Sequence, residues 1–158
     1  MPFSPRAWNL LAVLVAAAVL VLFFTYRTPR LAVPSATAQL GGVSLKIDYA
    51  TTTASRQLGL GNRISIPGDY GMLFVFPKDG YYGFWMKDTL VPLDMFWLDA
   101  QGQVVFMEED VATSTFPNVF YPTTPARYVL ETAAGFGAAH GVATGTPLLL
   151  KNFPSVSE

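Results

Sequence analysis

A chain of 158 residues with 51% hydrophobic and 13% charged side chains is too apolar to be disordered and is about the size of one domain. It has no cysteine, which removes disulfides, thiolate metal sites and nucleophilic thiols together. The formal net charge of −1 hides an asymmetry: from residue 31 onward seven basic residues stand against eleven acidic ones, a net of −4, without the clustered Lys and Arg that binding a nucleic-acid backbone requires.

After a short tail, residues 1–7, the stretch from Trp8 to Phe24 reads WNLLAVLVAAAVLVLFF, with Asn9 its only polar residue. As a helix, residues 8–26 would extend roughly 27 Å, enough for one membrane crossing, with Trp8 and Tyr26 placing amphipathic rings at the two interfaces. The rival reading is a cleaved signal peptide, for which Ala36-Thr37-Ala38 offers small residues at the right spacing. That site lies two arginines and two prolines beyond the apolar run, so an uncleaved anchor in membrane lipid is the preferred reading. Arg6 before the span and Arg27 and Arg30 after it nearly balance under the positive-inside rule. The short leader places the N-terminus inside and the domain on the extracytoplasmic side. Residues 27–42, with their prolines, small residues and lack of period, read as a linker, and a β-rich domain is expected over 43–153.

Within it, Val43, Leu45, Ile47 and Tyr49 alternate with Ser44, Lys46, Asp48 and Ala50, the period of a strand with one buried face. Thr51 to Leu58 reads as a short helix with a threonine N-cap, ended by Gly59 or Gly61. Gly71 to Phe76 is a continuous apolar run expected to be covered on both faces, and aromatic-rich Tyr81 to Met86 reads as a further strand. Leu93 to Leu98 and Gln103 to Met107 flank Asp99-Ala100-Gln101-Gly102, a turn-forming quartet that predicts a β-hairpin. Strands are expected again at Arg127 to Glu131 and Pro147 to Phe153, separated by a weak, glycine-burdened helix in 133–141. The pattern predicts a mostly β (α+β) fold, a small sandwich or barrel-like domain with one or two short helices, preceded by one transmembrane helix.

The ordered motifs RQLGLGNR from Arg56, GMLFVFPKDG from Gly71, FWMKDTLVPLDMFWLDAQGQVV from Phe84 and VLETAAG from Val129 resemble the domain-of-unknown-function 192 family of prokaryotes. The resemblance spans roughly residues 43–152 and implies a compact, mostly β fold with no established activity. Two positions depart from the family pattern. Gly61 stands where relatives usually carry methionine, and Asp88 where they often carry asparagine, which argues against an obligatory acid at 88.

Several side chains could carry chemistry. Asp88 and Asp94 bracket the Thr89-Leu90-Val91-Pro92 corner beside Lys87, where two carboxylates could act as acid and base or hold a cation. The competing reading is structural: Asp88 accepting turn N–H groups and Asp94 paired with an arginine. Glu131, late in an apolar strand, is expected to be partly buried and paired, with Arg56, Arg63 or Lys87 as partners. His140, the only histidine, cannot build a zinc site alone and reads as a helix-end residue beside Gly141. No G-x-S-x-G elbow and no phosphate-cradling glycine loop is present. Tyr81, Tyr82, Phe84, Trp85, Phe96 and Trp97 form either a small core or an exposed platform, with proline-rich 116–125 as its rim.

These features point to a non-catalytic, membrane-tethered binding or accessory domain of the prokaryotic cell envelope, without cofactor or metal. Its candidate ligand-binding residues are Arg63, Trp85, Lys87, Asp88, Asp94 and Glu131. The alternatives are a hydrolase of envelope glycan using Asp94 and Glu131 as acid and base, and a structural partner of another envelope protein.

Overall fold

The computed structural model describes residues 36–156. The proposed anchor at 8–26 and the orientation of its flanks lie outside the described residues, among which no helix is long and apolar enough to cross a membrane.

Seven strands form one curled sheet in the order β5-β4-β6-β3-β2-β1-β7. The strands are β1 (Ala36–Leu40), β2 (Val43–Ala50), β3 (Tyr70–Gly80), β4 (Leu93–Leu98), β5 (Val104–Val111), β6 (Ala126–Ala133) and β7 (Leu149–Leu150). Every pairing is antiparallel except β2 with β3. A parallel pair requires a crossover, and this one carries the helix α1 (Thr53–Leu58). A second short helix, α2 (Phe136–His140), follows β6.

The two ends of the sheet are drawn together. Gln103, just before β5, bridges Pro147, just before β7, and Val104 N–H donates to the Thr146 carbonyl at 3.0 Å. The architecture is therefore a curled, half-open barrel, and the two-sheet sandwich form of the expectation is not adopted.

Because side chains alternate along a strand, the sheet separates its apolar residues into two clusters. Leu45, Ile47, Leu73, Val75, Phe96 and Leu130 belong to one, with Phe136 of α2. Met72, Phe74, Met95, Trp97 and Val129 belong to the other, with Leu60, Phe84 and Met86 from connecting segments. Burial on both faces corrects the reading of β2. Asp48 and Ala50, assigned to a solvent face by simple alternation, are buried under the second cluster.

Three further expectations change. Residues 36–40, within the stretch read as a linker, form β1, whose Ala38 and Leu40 are buried. Tyr81 to Met86 is not a strand but an irregular segment beside the 116–121 loop, joined to it by reciprocal backbone bonds between Phe84 and Phe120 of 2.9 and 2.8 Å. Gly83 permits that approach, because a Cβ there would lie 2.6 Å from the Tyr121 ring. Pro147 to Phe153 shortens to the two residues of β7. The hairpin forms as expected, with the Asp99 carboxylate accepting the N–H groups of Gln101 and Gln103 at 2.9 Å.

Candidate functional site

Register places one carboxyl group in an unusual setting. Glu131 of β6 pairs with Met72 of β3 on one side and Met95 of β4 on the other, and Met72 pairs in turn with Asp48 of β2. These side chains share the face of the second cluster. Glu131 is only 4% exposed, and its Oε2 has no hydrogen-bond partner among the described residues. Burial pushes its pKa up to about 8, against the weaker opposing pull of the Leu60 backbone N–H and the Arg63 guanidinium. At neutral pH the group is mainly a neutral carboxylic acid, able to donate a hydrogen bond.

The chain delivers Leu60 to Glu131 through the end of α1. Thr52 caps this helix in a reciprocal box with Ser55, and Gly59 ends it at φ +51°. A Cβ at Gly59 would lie 3.2 Å from Phe74 Cζ and 3.6 Å from Glu131 Oε2, so glycine lets the backbone approach both without pressing on Phe74.

Arg63 is committed to a second buried acid. Asp48 Oδ2 accepts the Tyr70 hydroxyl at 2.7 Å and lies 3.7 Å from Arg63 Nη2, while the guanidinium sits 4.9 Å above the Tyr70 ring. Burial, reinforced by the bond to Asp48, raises the Tyr70 pKa well above its ordinary value. Asp48 Oδ1 has no hydrogen-bond partner among the described residues. Arg63 thus serves an internal charge network and acts on Glu131 only through its field.

Between α1 and residues 83–89 opens a cavity of about 570 Å³, with Glu131 lining its buried side. Phe74, Phe76, Phe84 and Trp85 supply aromatic walls. Arg56 and Lys87 supply its cations, and Thr53, Gln57 and Thr89 its neutral polar groups. Arg56 is fixed by two bonds from Nη1, to the Thr51 carbonyl at 2.8 Å and the Val75 carbonyl at 2.9 Å, and lies 5.3 Å above the Phe76 ring. Lys87 Nζ lies 5.9 Å from the Trp85 ring centre. Trp85, 49% exposed, meets Phe116 edge to face at 6.0 Å.

Of the six residues singled out from sequence, Trp85, Lys87 and Glu131 converge on this cavity and Arg63 lies behind it. Asp88 does not line it. This exposed residue sits at φ +55°, and its carbonyl accepts the Asn62 N–H at 2.8 Å. Asp94 is on the other face of the sheet, since its register partner is Thr132 and that of Glu131 is Met95. Fully buried, Asp94 accepts backbone N–H groups of Asp110 at 2.9 Å, Gly135 at 3.2 Å and Gly137 at 2.8 Å, fastening α2 to β4. It pairs with no arginine among the described residues, and the proposed Asp94–Glu131 acid and base couple is overturned by the pleat of the sheet. His140 meets Phe136 edge to face at 4.6 Å at the end of α2, and no metal-binding cluster of His, Asp or Glu occurs among the described residues.

Sequence reasoning missed Asp48, Tyr70, Phe74 and Phe76 as parts of this region, and took Arg56 only as a partner for Glu131. Their signal is a pairing register, which period alone does not carry; only the position of Arg56 at the head of its motif was visible.

Residues 36–150 match the family model DUF192, described as an uncharacterized ACR. No curated protein matches the chain by sequence. Among solved structures, the domain is similar to a protein from Sinorhizobium meliloti 1021 described as a putative transcription regulator, with 28% identity and a TM-score of 0.69 over 73% of this chain and 92% of that one. It also shares its fold with a protein of unknown function from Novosphingobium aromaticivorans DSM 12444, at 23% identity and a TM-score of 0.65 over 71% of this chain and 82% of that one.

Proposed function

This chain belongs to the DUF192 family, whose description names no activity, and we propose that its domain is a non-catalytic module that takes a small ligand into the Glu131 cavity. The observation that carries this reading is the buried carboxyl group of Glu131, which lines a cavity walled by aromatic rings and whose Oε2 has no hydrogen-bond partner among the described residues. An unsatisfied buried oxygen costs about 1–3 kcal/mol, and a ligand atom that satisfies it recovers part of that cost. The cavity volume falls within the ordinary range for small-molecule sites. Catalysis by paired carboxylates has no second acid in the cavity lining among the described residues: Asp48, on the same face, is held by Tyr70 and Arg63, and Glu108, opposite Met95, does not line it. The regulator description of the Sinorhizobium neighbour does not lead to DNA binding here, given the net charge of −4 beyond residue 30.

The apolar segment 8–26 supports a module held at the membrane with its domain on the extracytoplasmic side. Envelope glycan or a protein partner is the setting in which such a tethered domain would act.

Ligand-observed NMR with a panel of neutral, anionic and cationic aromatic fragments on the full chain tests the proposal. Several fragments should bind, lose binding in Phe76→Ala, and be recovered chemically unchanged. A panel in which nothing binds, or in which every hit is indifferent to Phe76→Ala, would sink it.

A further inference from the structure

Resting on that reading, we infer that the cavity selects a small organic anion with a flat apolar body, its negative group toward Arg56 and Lys87 and a hydrogen-bond acceptor at its far end toward the Glu131 carboxyl group. Three observations combine. Arg56 and Lys87 are the cationic lining residues, and neither forms an ion pair among the described residues. Arg56 is braced over Phe76 and fixed by two carbonyls, so little ordering cost remains for it when an anion arrives, and Lys87 stands beside the Trp85 ring. The third is Glu131, the only acid among the described residues that lines the cavity.

A cationic ligand would be the natural guest of aromatic walls with an ionised carboxylate behind them. Here the charges oppose it. With Glu131 held near pKa 8 by burial, the two cations are not offset at neutral pH, and the carboxyl presents a donor instead of a negative charge. The walls set the shape of the ligand: Phe76 is held between Tyr82, at 3.5 Å between ring centres, and Arg56, and Phe84 meets Phe74 edge to face at 4.8 Å. Ring edges left by such contacts pack best against the face of a flat ring.

Four probes of nearly equal size separate the terms: 4-hydroxyphenylacetate, phenylacetate, 4-hydroxyphenylacetamide and tyramine. Their affinities for the full chain at neutral pH are to be measured by ligand-observed NMR. The expected order puts 4-hydroxyphenylacetate first, about tenfold ahead of both phenylacetate, which lacks the far acceptor, and the amide, which lacks the charge, with tyramine last. Lys87→Met should erase the preference for the acid over the amide and leave the preference for the hydroxyl. Glu131→Leu should do the reverse, and Glu131→Gln, which keeps a donor, should retain both. Near-UV circular dichroism of each variant checks that the fold survives. Tyramine binding as well as or better than 4-hydroxyphenylacetate overturns the inference, as does an acid preference that Lys87→Met and Arg56→Met both leave intact. If none of the four binds while neutral fragments still occupy the cavity, the anion inference falls and the binding reading stands; if no fragment binds at all, both fall.

Discussion

Glu131 holds a proton in the folded chain that it gives up in the unfolded one. Its folded pKa of about 8 exceeds the ordinary carboxyl value of 4.5, so between those values the native state binds one more proton than the denatured state. The contribution of Glu131 to stability therefore falls as pH rises through that window, by up to about 1.4 kcal/mol for each unit, and levels off above it. Glu131→Gln keeps the shape of the protonated acid and removes the titration. Thermal unfolding followed from about pH 5 to about pH 9 should show the wild type losing ground to Glu131→Gln as pH rises, the two curves running level beyond about pH 8. Parallel curves would mean that Glu131 is ionised in the folded chain. The contrast with Asp94 shows what a one-residue change of phase does. Asp94 lies on the opposite face, where three backbone N–H groups meet it, and its carboxyl is fully employed in holding α2.

At the level of elements, β1 is the part of the fold that composition concealed. ATAQL has small and polar residues and no sustained alternation, so it reads as a linker; it becomes a strand because β2 offers an open edge and β1 in turn carries β7. Ala38 and Leu40 then join the first apolar cluster. A chain beginning at Val43, where the sequence places the start of the domain, should be less stable than one beginning at residue 33. Burial of Leu40 alone is worth about 2 kcal/mol, and the unpaired β2 edge adds to the loss. Urea unfolding of the two chains measures it, and equal midpoints would show β1 to be dispensable. Strands with strong period or continuous apolar runs, namely β2, β3, β4 and β6, were legible, as were the threonine cap of α1 and the β4–β5 turn. Tyr81 to Met86 misled because its aromatics suit a strand equally well. Trp97 claims the backbone of that segment through an Nε1–H bond to the Tyr82 carbonyl at 2.8 Å, and the 116–121 loop supplies its other partner.

Taken whole, the domain is a sheet with two unlike faces. One is closed by α2, by the β1–β2 end and by the meeting of the sheet edges; the other is covered by irregular segments and α1, and between these the cavity remains. The distinction explains why the site was only half visible in the sequence. Trp85, Lys87 and Glu131 announce themselves by type, whereas Asp48, Tyr70 and Phe76 enter through strand register, which is fixed only when all seven strands have paired. It also predicts that stability and binding can be separated by face. Leu45 is fully buried in the first cluster, and Leu45→Ala should cost about 2–5 kcal/mol of stability. Phe76 is partly buried at the cavity wall, beneath Arg56 and against Tyr82, and Phe76→Ala should cost less, about 1–2 kcal/mol. Affinity for 4-hydroxyphenylacetate, measured where both variants are fully folded, should survive Leu45→Ala and drop by about tenfold in Phe76→Ala, in keeping with loss of an aromatic wall. In the double variant the stability losses should add to within about 0.5 kcal/mol, since the residues belong to separate clusters on opposite faces. If Leu45→Ala weakens binding as much as Phe76→Ala does, the two faces are mechanically coupled, and the sheet is part of the site instead of its support.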